Sequence, residues 1–160
     1  MTDDLTHLTE TGEVHMVDVS EKGDTHRVAV AEATVLMSDK TADLLFGDGL
    51  PKGDALATVR LAAIMGAKRT PDLVPLCHPV VLTALTATIE RVDGGSRIEV
   101  TAKASGQTGV EMEAMTGAMV GALAMYDMVK GIERGVEIGP VRLLSKLGGK
   151  SGTWTRTEQS

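Results

Sequence analysis

An α+β sandwich, with a mainly antiparallel sheet covered on one face by helices, is the fold class this sequence predicts. Three observations carry that expectation. Helical and strand patterns are interspersed along the chain rather than segregated. Two β runs meet at Asp93-Gly94-Gly95, a tight-turn signal that makes at least one strand pair antiparallel. Neither an internal repeat nor a linker divides the chain, and 160 residues suffice for one domain that buries roughly 70% of its unfolded surface.

The elements follow in order. Residues 1–13, acidic and polar, read as a disordered lead-in, so the folded domain is taken as 14–152 and the last residues, 153–160, as a flexible tail. Val28, Val30 and Val35 alternate loosely and predict a strand over 26–37. Ser38 or Asp39 then caps a short helix ending near Gly47, and Asp54 caps a second over 55–68, with Leu56, Val59, Ala63 and Ile64 on one face. A proline-bounded loop covers 71–79, followed by strands over 80–92 and 97–104. One long helix starts after Thr108 and ends near Gly135, and a last strand covers 137–147.

Composition excludes several function classes. Three aromatics (Phe46, Tyr126, Trp154) make an aliphatic core with almost no stacking platform for bases, and a net charge of −6 repels phosphate backbones, so nucleic acid is not an expected partner. The single cysteine, Cys77, cannot form an intramolecular disulfide and suits a reducing compartment. No metal site is expected, since there is no second cysteine and the four histidines are scattered. The N-terminus lacks signal-peptide character, and the uncharged helical run of 13 residues over 114–126 is too short to span a bilayer. A cytoplasmic protein without membrane contact is expected.

The uncharged run over 114–126 is also the most informative stretch for chemistry. Glu111 and Glu113 bound it on one side, Asp127 and Lys130 on the other. A helix this apolar is expected to be packed on most sides, leaving its charged ends in or beside a pocket. Asp127 and Lys130 share a face at i,i+3; alone, such a pair is a surface ion pair worth roughly a few tenths of a kcal/mol. Beside apolar neighbours, a partly desolvated Asp next to a Lys suits proton transfer. Thr108-Gly109-Val110-Glu111 fits a capping box, which would account for Glu111. Glu113 lies 14 positions before Asp127, about 21 Å along a continuous helix. One small reacting centre cannot touch both. Either the substrate is long, or the helix begins late, or the two ends serve different copies of the site. Gly117 and Gly121, four apart, hint at a close helix contact.

Basic residues gather in glycine- and proline-rich contexts: Lys52-Gly53-Asp54, Lys68-Arg69-Thr70, and Lys146 to Lys150 in a glycine-rich run. Such loops suit a phosphorylated ligand, although plain solubility explains any one lysine as well. Gly149-Lys150-Ser151 is not a P-loop, because Leu144 stands where that motif needs glycine. Adjacent residues in an extended loop point apart, which argues against a Cys77–His78 ion pair. His78 reads either as an acid, base or donor on a rigid loop or as a structural histidine. The residues alone therefore point to a phosphate-ligand enzyme using Lys, Asp and His. A ligand-binding regulatory module and a structural oligomer subunit are the other readings.

Several motifs reach further. Met16-Val17-Asp18-Val19-Ser20, Lys52-Gly53-Asp54, Ala67-Lys68-Arg69-Thr70, Pro75-Leu76-Cys77-His78-Pro79, Gly109-Val110-Glu111-Met112-Glu113-Ala114, Tyr126-Asp127-Met128 with Lys130, and Ile138-Gly139-Pro140-Val141-Arg142-Leu143-Leu144 resemble, in order and over about 14–152, the cyclic pyranopterin monophosphate synthase family of molybdenum cofactor biosynthesis. The resemblance implies a ferredoxin-like sandwich and a lyase that converts 3′,8-cyclo-7,8-dihydro-GTP, the product of a radical-SAM enzyme upstream, to the cyclic pyranopterin with release of pyrophosphate. By motif match Asp127, Lys52 and Lys130 are the acid/base residues. Leu76, Cys77, His78, Met112 and Glu113 contact the substrate, and Arg27, Glu111, Lys146 and Lys150 line the pocket or hold phosphates. The resemblance also implies a homo-oligomer, a hexamer built as a trimer of dimers. It requires no cofactor, although magnesium could accompany the triphosphate. The chain departs from the family after Gly152: many relatives carry a basic or histidine-containing tail, whereas here Thr153-Trp154-Thr155-Arg156-Thr157-Glu158 follows.

Overall fold

The structure, a computed structural model, describes residues 11–47, 49–50 and 52–157. Its elements are β1 (Thr25–Leu36), α1 (Asp39–Phe46), α2 (Ala55–Lys68), α3 (Thr70–Leu73), β2 (Leu82–Val92), β3 (Gly95–Gly106), α4 (Glu111–Val129), β4 (Glu137–Leu147) and β5 (Trp154–Thr155). The five strands form one sheet in the order β2-β3-β1-β4-β5, antiparallel at every pairing. Chain order β-α-β-β-α-β with β1 and β3 central is the ferredoxin-like arrangement, to which β5 adds an edge. No described helix is long and apolar enough to cross a membrane.

Period-two alternation explains which side of the sheet the helices cover. Ala29, Ala31, Ala33 and Val35 of β1 and Ile98, Val100, Ala102 and Ala104 of β3 are buried, while Arg97, Glu99, Thr101 and Lys103 between them are not. On the uncovered face Arg142 pairs with Glu32 at 3.0 Å and Arg97 with Glu90 at 2.7 Å. The hairpin expected at Asp93-Gly94-Gly95 is present: Gly94 takes φ 74° and Val92 pairs with Gly95.

Two helices form the covering layer, and small residues set their spacing. A Cβ on Gly66 would fall 2.5 Å from Cβ of Val120, and one on Gly117 would fall 3.0 Å from the Ala63 carbonyl oxygen. The close contact expected of Gly117 and Gly121 is thus the α2–α4 crossing within one chain.

Local capping matches the sequence at two helices and departs from it at α4. Ser38 accepts from the Thr41 N–H at α1, and Asp54 accepts from the Ala57 N–H at 2.9 Å at α2. At α4 the expected capping box is absent: Val110 is the N-cap, no side chain caps it, and Glu111 is the first helical residue. The helix also stops at Val129 rather than near Gly135. Ile132 and Glu133 donate back to the Val129 carbonyl, closing the last turn, and Glu133 accepts from Ser38 and Thr41 at the start of α1 instead of extending the helix.

Two further expectations, on the 71–79 loop and on the tail, are corrected, and one on α4 holds. Part of the loop over 71–79 is helical, since Pro71 at the first turn is compatible with α3. As expected, the apolar helix is packed on most sides: its exposed residues, Met112, Met119, Leu123 and Asp127, form one stripe. Of the tail expected to be flexible over 153–160, Trp154–Thr155 pair with β4, and residues 158–160 lie outside the described residues. Of the lead-in expected over 1–13, residues 1–10 likewise lie outside them.

Candidate active site

The residues singled out from the sequence fall into two groups at opposite ends of α4. At the C-terminal end, Lys52 reaches across from the turn before α2, where Gly53 takes φ 88°. Its Nζ donates to the Asp127 carbonyl oxygen at 2.6 Å and lies 3.4 Å from Asp127 Oδ2, while Lys130 Nζ sits 2.6 Å from Oδ1. The hydrogen bond from Lys130, then that from Lys52, holds the Asp127 carboxyl below the usual carboxylate range, and Asp127 in turn raises the Lys130 ammonium. Asp127 is not partly desolvated as its apolar neighbours suggested: its side chain is 57% exposed. The cluster borders an open recess of about 500 Å³ walled by Val120, Leu123, Ala124 and Tyr126.

At the N-terminal end, a cleft of about 690 Å³ opens beside the first turn of α4. The 75–79 loop supplies Leu76, Cys77 and His78, α4 supplies Glu111 and Met112, and β4 supplies Leu143 and Lys146. Lys146 reaches the helix side through a β-bulge. Ala31 pairs with Leu143 and Ala29 with Lys146, so the extra residue in β4 puts Leu143 and Lys146 on one face although they are three apart. There Lys146 Nζ lies 3.2 Å from Glu111 Oε1. That ion pair, not a capping box, accounts for Glu111.

A smaller hollow of about 330 Å³ adjoins the cleft, sharing Glu111 and Lys146 with it and adding Arg27 and Lys150. Arg27 is braced by its Nε–H and Nη2–H, which donate to the carbonyls of Gly106 and Gln107 at 3.2 and 3.1 Å. A side chain at Gly149, whose φ is 76°, would collide with the Arg27 guanidinium. Four cationic side chains, Lys22, Arg27, Lys146 and Lys150, against one carboxylate make this hollow suited to an anion.

Glu113 sits behind the cleft. It is 2% exposed, its Oε1 accepts from the Cys77 thiol at 3.7 Å, and its Oε2 has no hydrogen-bond partner among the described residues. Burial pushes the Glu113 pKa up. Burial first, and then the Glu113 charge, pushes the Cys77 thiol up to about 11, so Cys77 is no thiolate nucleophile near neutral pH.

The sequence reading missed part of the cleft wall. Val17, Val19 and Lys22 come from a segment folded by Ser20, whose N–H and Oγ–H donate to Asp18 Oδ1 at 2.8 and 2.6 Å. Trp154 comes from β5. The run 16–20 was legible as a motif, but nothing in it said which element it would face. Among the described residues, no group of three or more His, Cys, Asp or Glu side chains is placed to hold a metal ion.

Comparison with known proteins places this geometry in context. The MoaC family profile matches residues 16–149. The chain is similar to cyclic pyranopterin monophosphate synthase of Corynebacterium glutamicum strain R, 51% identical over 94% of this chain and 97% of that protein. The synthase of Streptomyces avermitilis is 51% identical over 97% of this chain and 91% of its own length. That of Cereibacter sphaeroides strain ATCC 17029 is 55% identical over 92% and 94% respectively. The profile runs from the Met16 segment at the cleft to Gly149 beside Arg27, taking in both ends of α4, and on this evidence the chain belongs to the MoaC family.

Proposed function

We propose that this protein is a cyclic pyranopterin monophosphate synthase, a lyase that converts 3′,8-cyclo-7,8-dihydro-GTP to cyclic pyranopterin monophosphate and pyrophosphate in molybdenum cofactor biosynthesis. The supporting observation is the pairing of a largely apolar cleft with a cationic hollow, one able to receive a planar heterocycle and the other its phosphates. The relatives' shared name supports the same reading.

The residue roles we assign draw support from their surroundings. Leu76, His78 and Met112 contact the heterocycle, with Cys77 and Glu113 behind them. Arg27, Lys146 and Lys150 hold phosphate oxygens, with Glu111 orienting Lys146. Closing the cyclic phosphate forms a bond from a substrate hydroxyl oxygen to the α-phosphorus and breaks the bond to the departing pyrophosphate. The hydroxyl proton leaves to a base, and the cations stabilise the charge that develops on the leaving oxygen. Asp127, kept ionised by Lys130 and Lys52, is placed to move protons during ring opening and rebuilding, a contribution on the order of 10²–10⁴-fold. Magnesium could accompany the triphosphate.

Asp127 and the cleft lie at opposite ends of α4, with Glu113 and Asp127 about 21 Å apart along a continuous helix. A site assembled from two copies brings them together: the cleft of one protomer beside the Lys52–Asp127–Lys130 cluster of another. The exposed Met119 and Leu123, next to that cluster, suit burial by a second copy. A hexamer built as a trimer of dimers supplies such contacts. The setting we propose is the cytoplasm, with a radical-SAM enzyme supplying the substrate.

The test is to supply 3′,8-cyclo-7,8-dihydro-GTP to the purified protein and follow pyrophosphate and pterin. Release of both in equal amounts is expected. Binding without turnover would replace the synthase reading with that of a ligand-binding module.

A further inference from the structure

Trp154 is the chain's one tryptophan, and it lines the cleft from the far side of the sheet edge. It arrives there by local geometry. Gly148, Gly149 and Gly152 all take positive φ, and they turn the chain back so that β5 pairs with β4, Trp154 opposite Lys146 and Thr155 opposite Ser145. The Arg156 N–H and Nε–H then donate to the carbonyls of Leu144 and Leu143, both at 2.7 Å, fastening a strand of only two residues.

Directly opposed residues of an antiparallel pair project to the same face, with Cβ atoms roughly 4.5–5.5 Å apart. The β4 bulge turns Lys146 toward the cleft, so its partner Trp154 is turned there too. The indole is 41% exposed, and the Arg156 guanidinium carbon lies 5.8 Å from its ring centroid. Arg156 does not line the cleft. The other apolar walls, such as Leu76, Met112 and Leu143, are aliphatic and have no π-face.

Resting on the synthase reading, we propose that Trp154 stacks on the planar heterocycle of the bound substrate and helps select a purine-derived ring, while the neighbouring Lys146 holds its phosphates. Stacking and anion binding are then set side by side by one cross-strand pair.

The test compares Trp154→Ala, Trp154→Leu and Trp154→Phe in turnover of 3′,8-cyclo-7,8-dihydro-GTP. Stacking predicts that Ala and Leu both raise KM by on the order of 5- to 100-fold with a smaller effect on kcat, while Phe stays within about threefold of wild type. Leu matching wild type would overturn the proposal by reducing Trp154 to an apolar wall, and so would an unchanged KM in Trp154→Ala. Should the variants fold poorly, the single indole is its own probe. In Asp127→Asn, which retains Trp154, the substrate should change tryptophan emission saturably and inorganic triphosphate should not; equal responses would overturn stacking. Absence of turnover in wild type sinks the synthase reading, whereas turnover with unmoved KM in the variants sinks stacking alone.

Discussion

Lys52 Nζ donates a 2.6 Å hydrogen bond to the backbone carbonyl of Asp127, joining residues 75 positions apart in the chain. The contact fastens the turn before α2 to the last turn of α4, so Lys52 and Lys130 approach the Asp127 carboxylate from two different elements.

Asp127→Asn should therefore lower turnover by on the order of 10²–10⁴-fold. It should leave the melting temperature nearly unchanged, because the carboxylate is exposed and such pairs contribute little to stability. An NMR titration of the Asp127 carboxyl should give a midpoint below the ordinary aspartate range. Lys130→Met should raise it more than Lys52→Met does, since the Lys130 hydrogen bond is the larger cause. The Asp127 contribution is full above the unfolded carboxylate value and is lost as pH falls through the lowered folded value. That of Lys130 is full below the unfolded ammonium value and is lost as pH rises through the raised one. A shift of the Asp127 midpoint upward from the ordinary range would contradict this arrangement.

Because Lys52 and Asp127 touch within one chain, mixing variants of those two residues cannot test a shared site. His78→Ala and Asp127→Asn, from opposite ends of α4, can. After verified subunit exchange, an equal mixture of the two inactive variants should regain roughly a quarter of the wild-type activity: half the pairs are mixed, and one of the two sites in each is intact. Persistent inactivity would count against a site assembled from two copies.

Glu113→Gln should alter both stability and thiol reactivity. Burial raises the Glu113 pKa, so its protonated form favours folding below the ordinary glutamate value, and that contribution is lost as pH rises through the raised folded value. The variant should lose this pH dependence, which denaturant melts at mildly acidic and neutral pH would reveal as a flatter profile. Removing the charge should also lower the Cys77 pKa from about 11. Alkylation of Cys77 by iodoacetamide near neutral pH should then accelerate, by up to roughly tenfold for each unit the pKa falls. Unchanged alkylation rates would show that Glu113 does not govern the thiol.

Gly66→Ala should destabilise the fold by about 1–3 kcal/mol, because the new Cβ would lie 2.5 Å from Val120 Cβ at the helix crossing. Equilibrium urea unfolding measures the loss. A variant as stable as wild type would mean that α2 and α4 can separate at no cost.

How much of this was legible in the sequence depended on the range of the interaction. Strands over 137–147 and, within a residue at each end, 26–37 were readable, as were the helix over 55–68 with its Asp54 cap and the Asp93-Gly94-Gly95 turn. Each is fixed by neighbours a few positions away. At α4 local logic failed twice. Thr108 and Glu111 match a capping box in spacing, but Lys146, brought in by a bulge on β4, takes the Glu111 carboxylate. The pattern extends past Val129, but Glu133 finds its partners on α1.

The site divides in the same way. Motifs picked out residues at both ends of α4, and the length of one helix showed that those ends are far apart. The sequence by itself thus determined the fold class, the helix register, and the separation of Glu113 from Asp127. Only the tertiary structure decided that Lys52 touches Asp127 within one chain, that Glu113 lies behind Cys77, and that Trp154 stands across from Lys146. Those contacts join residues 8 to 75 positions apart through strand pairing, a bulge and helix packing. No short-range pattern carries that information, because sheet register and helix crossing are set by the whole core at once.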